Sequence, residues 1–117
     1  MPKTSPNPKS LLPMKPADLL LLAVLQDGPQ HGYALSQAIA RRSADRVKVR
    51  PGDLYRVLYR LSELGLVEAS EPAGPEERRR TAYALTERGR TVLLEEARRL
   101  ADLSAEILSH ASAGGPR

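Results

Sequence analysis

Residues 51–70, PGDLYRVLYRLSELGLVEAS, decide how this chain folds. At about 100° per residue, Leu54, Val57, Leu58, Leu61 and Leu64 share one face of a helix. Tyr55, Arg56, Tyr59, Arg60 and Glu63 fall on the other. Pro51 suits the first helical position, where its missing N–H costs nothing. Asp53 favours the helix dipole, and Gly65 suits a C-terminal cap, whereas Arg50 makes a poor N-cap. The leucine face belongs to a core. The tyrosine face is not needed for one, yet two of the chain's four aromatic residues, all tyrosine, stand there one turn apart beside two arginines. Tyrosine supplies packing area and a hydroxyl, and arginine supplies a fork that fits phosphate or guanine. This face therefore reads as a contact surface. The competing reading is that one tyrosine packs beneath a neighbouring element.

Downstream, LVEAS at 66–70 alternates like a short strand, EPAGPEERRR at 71–80 is a Pro- and Gly-rich turn ending in three arginines, and TAYALT at 81–86 alternates again. Two short strands around a basic loop predict a β-hairpin, which must pack on helices to be stable. Upstream, a Leu-rich helix is expected near 17–26, started by Asp18 and stopped by DGP at 27–29. HGYALSQAIARRS opens a second helix near residue 31, with Leu35, Ala38, Ile39 and Arg42 at helical spacing, and the loop SADRVKV leads on to Pro51. The expected fold is mainly α with a small β-hairpin. Three helices followed by such a hairpin form a winged helix-turn-helix, in which the last of the three enters the DNA major groove and the hairpin loop reaches the flanking backbone.

A long helix follows, LTERGRTVLLEEARRLADLSAEILSHA, with Thr86 as its N-cap. Leu93, Leu94, Ala97, Leu100, Ala101, Ser104, Ile107 and Leu108 make one stripe, which is read as a homodimer interface over the alternative of packing back on its own domain, because its distal half has little of its own chain to pack on. Glu95 with Arg99 and Arg98 with Asp102 stand at i,i+4 spacing. The expected organisation is a disordered arm at 1–16, a winged domain at 17–86, a C-terminal dimerisation helix at 87–108 and a disordered tail at 109–117.

At 117 residues and a net charge of +4, this is one small domain with tails. Residues 41–60 hold seven cations against two anions, a concentration that suggests a polyanion partner, with a solvated basic face as the competing reading. The chain has no cysteine, and its longest apolar run, LLLLAVL at 19–25, is far too short to span a bilayer. A cytoplasmic location is expected. Metal and enzyme chemistry find no support: His31 and His110 stand apart, Glu76–Glu77 and Glu95–Glu96 read as solvated charge, and no phosphate-binding loop or nucleophile elbow occurs. No cofactor, no metal and no catalysis are expected.

The order HGYALS, PGDLYRVLYRLSELGLV, RRRTAYALTERGR resembles the PadR family of bacterial transcriptional regulators over about residues 17–108. His31-Gly32-Tyr33, Gly52, Leu54-Tyr55, Leu61, Gly65-Leu66, Tyr83, Leu85-Thr86 and Gly89 fall on the family pattern, and the single C-terminal helix looks like the family's short branch. The resemblance implies a homodimer on a pseudo-palindromic operator in double-stranded DNA, usually a repressor relieved by a small molecule. If an effector exists, it is expected between the winged domains and the C-terminal helices. The DNA-contacting set is then Tyr33, Arg50, Tyr55, Arg56, Tyr59 and Arg60, with Arg78, Arg79 and Arg80 from the wing. Three positions depart from the pattern: Asp53 replaces a common Ser or Thr, Arg56 a frequent proline, and Ala82 a common tyrosine. With no Trp or Phe, the chain gives no support to the tryptophan grip on flat aromatic ligands that some short-branch members resemble. The alternative function is a winged-helix protein–protein module that does not bind DNA.

Overall fold

The computed structural model describes residues 11–70 and 81–114, with side chains up to residue 111. The element order is α1 (Pro16–Leu25), β1 (Gln30–His31), α2 (Gly32–Arg42), α3 (Pro51–Glu63), β2 (Val67–Ala69), β3 (Ala82–Leu85) and α4 (Glu87–Gly114). The helices and hairpin read from the sequence are present. A further strand, β1, joins the hairpin to make a three-stranded antiparallel sheet in the order β1-β3-β2. Its two residues pair Gln30 with Tyr83 and His31 with Ala82, a segment too short to carry an alternating pattern.

One apolar core holds these elements together. Leu21, Leu22 and Leu25 of α1, Leu35 and Ile39 of α2, and Leu54, Leu58 and Leu61 of α3 are all buried, closed off by Leu66, Val67 and Val92. The leucine stripe of residues 54–61 thus faces inward as its spacing requires. The chain leaves α3 through a Schellman turn: Gly65 takes φ +78, its N–H donates to the Ser62 carbonyl, and the Leu66 N–H donates to that of Leu61, both at 2.9 Å. Thr86 then joins two elements. Its hydroxyl donates to the Gly65 carbonyl at 2.7 Å and accepts from the Gly89 N–H at 2.9 Å, so it caps α4 while tying that helix to the end of α3. Gly89 is required by this approach, because a β-carbon there would lie 2.1 Å from the Leu66 carbonyl oxygen.

The ends of the chain differ from expectation. Residues 11–14, read as the end of a disordered arm, lie against the core through Leu11, Leu12 and Met14, and Pro16 already begins α1. The reason is local: Leu11 and Met14 lie beside Leu61 and Leu64 of α3, and Leu12 lies beside the Arg98–Arg99 stretch of α4. At the other end, α4 runs to Gly114 rather than stopping at residue 108. A contact between His110 and Glu106 and a bond from the Ser109 hydroxyl to the Glu106 carbonyl extend it. Glu96, read as solvated, is wholly buried, and it takes Arg99 as its partner where the spacing had offered Glu95. Leu93 is also buried, in the core of its own domain. The expectation that it lines a dimer interface is corrected, because the first two turns of α4 still pack on the winged domain.

Candidate nucleic-acid interface

The polar face of α3 keeps its tyrosines in solvent. Tyr55 and Tyr59 are 52% and 69% exposed, and Tyr33, in the first turn of α2, is 69% exposed. These are large apolar bodies left outside a core that had room for leucine, so neither Tyr55 nor Tyr59 packs beneath a neighbour. The N-terminal ends of α2 and α3 meet here. The Tyr55 ring lies over Gly32, so closely that a β-carbon on Gly32 would stand 2.7 Å from the tyrosine oxygen. The Tyr33 hydroxyl accepts a hydrogen bond from Gln37 Nε2 at 3.0 Å, one turn along α2. Tyr83 lies half-buried behind this ridge. Burial pushes its hydroxyl pKa up, and the neighbouring Tyr55 adds in the same direction.

The cations divide into two groups. Arg50 is exposed at the N-cap of α3, where it supplies only its backbone carbonyl, accepting from the Leu54 N–H at 2.8 Å. Arg56 is exposed and contacts the half-exposed Asp53 within the same helix turn. Both arginines border the tyrosines. Arg60, also exposed, is tied to another element. Its Nη2 donates to both oxygens of Asp18 on α1, at 2.9 and 2.8 Å, and Asp18 is buried. Arg60, expected to contact DNA, neutralises with its guanidinium a carboxylate that burial would otherwise penalise, while its own side chain stays 47% exposed. Arg78, Arg79 and Arg80 lie outside the described residues.

The helix that follows is apolar on a different face. From residue 101 to residue 111 every described side chain of α4 is exposed, Leu103, Ile107 and Leu108 among them at 46%, 59% and 62%. With half-buried Leu100 and with Ser104 they form a shallow apolar groove along α4. Ala97 and Ala101 are exposed beside it, and Leu94 is half-buried at its inner end. Leu103 was not among the residues the sequence singled out, although its spacing of four from Ile107 would have placed it there. Among the described residues no group of three His, Asp or Glu side chains could hold a metal ion, and no helix is long and apolar enough to cross a membrane.

The profile of the Transcriptional regulator PadR-like family matches residues 21–95. A transcriptional regulator of Mycobacterium tuberculosis, Rv3488, is 37% identical over 92 residues, covering 76% of this chain and 82% of that protein. An uncharacterized 37.1 kDa protein in transposon TN4556 of Streptomyces fradiae is 40% identical over 95 residues, covering 81% of this chain; the chain spans only 26% of that protein's length. The crystal structure of a PadR-like transcriptional regulator from Bacillus cereus superposes with a TM-score of 0.66 at 22% identity, covering 86% of this chain and 91% of the other. That likeness speaks to the winged-helix fold.

Proposed function

Because the chain belongs to the PadR-like family of transcriptional regulators, we propose that it is a homodimeric repressor that binds a specific operator in double-stranded DNA and is released by a small-molecule effector. One observation carries this reading: three exposed tyrosines stand around the meeting point of α2 and α3, bordered by Arg50 and Arg56. Aromatic groups left in water at the front of a winged domain give contact area, and the arginines give forks for phosphate or guanine. The basic wing residues Arg78, Arg79 and Arg80 would then reach the backbone on either side.

The apolar groove on α4 supports the dimer. An exposed strip of leucine and isoleucine on a helix that has left its own domain needs a partner, and a second copy of the same strip is self-complementary about a two-fold axis. Two-fold symmetry implies a pseudo-palindromic operator with half-sites about one helical turn apart. An effector bound between the winged domains and the α4 helices would change the separation of the two α3 helices and release the operator.

Selection of bound fragments from genomic DNA, followed by titration at two salt concentrations, tests the reading. A regulator binds a palindromic site specifically, with affinity that falls steeply as salt rises. No binding even at low salt would instead favour a protein–protein module.

A further inference from the structure

Asp18 and Glu96 are the two charged side chains buried among the described residues, and they fasten opposite ends of one short segment. Glu96, three turns into α4, accepts the Met14 N–H at 2.8 Å. Arg99 holds the same carboxylate through Nε at 2.5 Å and Nη2 at 3.0 Å. One helical turn further along the strap, Asp18 takes Arg60 of α3 on both oxygens. The segment Met14–Asp18 is thus tied at one end to the helix that carries the apolar groove, and at the other to the helix that carries the exposed tyrosines.

Burying a carboxylate is costly unless it is paired, and an apolar residue of similar volume would close the core without that cost. Two such carboxylates, Asp18 on the strap and Glu96 gripping its other end from α4, point to geometry rather than to stability. The strap also has room to shift. An open cleft of about 290 Å³ separates Met14, Lys15 and Asp18 from Leu61 and Leu64 of α3.

We infer that Asp18 and Glu96 are positioning residues: through the Met14–Asp18 strap they fix the setting of α4 against α3, and so the operator half-site spacing that the dimer accepts. The inference rests on the dimeric DNA-binding reading above. Neither carboxylate touches DNA. Each holds one end of the link between the helix that sets the distance between protomers and the helix that enters the groove. Loosening either end lets the two winged domains swing independently, so the dimer tolerates spacings that the wild type rejects.

Two measurements on the full chain test this. First, spin labels are placed on cysteines introduced at Arg41 on α2 and Ala105 on α4, both exposed. The chain has no cysteine of its own, and excess unlabelled protein silences distances between protomers. The wild type gives one narrow distance, and Glu96→Gln or Asp18→Asn gives a broader or shifted one. Second, affinity is measured for the selected operator with its half-sites moved one base pair closer and one farther. The wild type loses about tenfold or more at the wrong spacing, the size of one good base contact. The variants narrow that ratio, and combining them adds little because they cut the same link. If Glu96→Gln does not fold, Asp18→Asn, which loosens the other end of the strap, carries the same expectations. An unchanged distance distribution overturns the inference, as does affinity that falls equally at every spacing. A wild type that binds DNA without any spacing preference contradicts the dimeric-operator reading instead, and the distance distribution then decides whether the strap holds α4 in place.

Discussion

A β-carbon on Gly32 would stand 2.7 Å from the hydroxyl oxygen of Tyr55, and 3.0 Å from the ring carbon that bears it. The absence of a side chain at the start of α2 is what lets the Tyr55 ring lie across it, and the two helices are thereby joined at the front of the domain. Tyr55 is half in solvent and can swing outward, so a side chain at residue 32 displaces the tyrosine rather than breaking the fold. Gly32→Ala is expected to keep thermal stability within about 1 kcal/mol and to weaken operator binding. Adding it to Tyr55→Ala should cost no further affinity. Additive losses in that cycle would show that residue 32 acts by another route.

Gly89 poses the opposite case. A β-carbon there meets the Leu66 backbone at 2.1 and 3.0 Å, and backbone cannot step aside. Gly89→Ala should destabilise the fold by about 2–3 kcal/mol, read as a lower urea midpoint with unchanged cooperativity. A variant as stable as the wild type would mean that α4 can sit farther from β2 than described.

Arg56 and Arg60 stand one turn apart and should fail differently. Arg60→Ala leaves the buried Asp18 carboxylate without its partner and should cost stability, on the order of 1–3 kcal/mol. Its effect on the salt dependence of DNA binding should be small. Arg50→Ala or Arg56→Ala should leave the urea midpoint nearly unchanged. If the residue touches phosphate, its loss should flatten the slope of log K against log salt by about 2, since each phosphate contact contributes about 0.9 and a dimer uses it twice.

Glu96 makes stability depend on pH. Its hydrogen bond from Arg99 holds its pKa below the usual carboxylate range; burial opposes this, and the Met14 N–H reinforces it. A carboxyl group with a lowered folded-state pKa contributes stability that is present above its unfolded pKa and is lost as pH falls through the folded one. Wild type should therefore exceed Glu96→Gln in urea midpoint at neutral pH, and the gap should close as the solution is acidified below about pH 4. A gap independent of pH would show that the ionised form of Glu96 is not what the fold uses.

The groove on α4 predicts assembly. Wild type should sediment as a dimer at micromolar concentration, and Leu100→Asp with Ile107→Asp should be monomeric. Because the chain lacks cysteine, a single cysteine at Ser104 should cross-link two protomers under mild oxidation. A monomeric wild type, or a dimer that survives the double substitution, would remove α4 from the interface.

Much of this was legible in the sequence, for reasons that can be named. The leucine stripe from residue 54 to residue 64, Gly65 at the helix end and Thr86 at the next start are local signals, and local geometry obeys them. What stayed hidden depends on where a distant element falls. Arg56 and Arg60 occupy the same polar face by spacing, and only the position of Asp18 on α1 gives Arg60 a buried partner where Arg56 has an exposed one in its own helix. Leu93 and Ile107 lie on the same stripe, but the edge of the winged domain passes between them, leaving one buried and the other exposed. Glu96 was hidden in the same way. A charge in a polar run reads as solvated until residues 11–14 fold over it.

The central claim is that the tyrosine ridge on α3 reads DNA, and Tyr59 tests it most directly, being exposed and free of any requirement of the core. Affinity of Tyr59→Ala for operator and for scrambled duplex should be measured at several salt concentrations, with circular dichroism to follow the fold. The account predicts an intact fold, an unchanged salt slope, and an operator preference reduced by about 1–3 kcal/mol per half-site. A variant that unfolds, or one that keeps the full preference of the wild type, would contradict it.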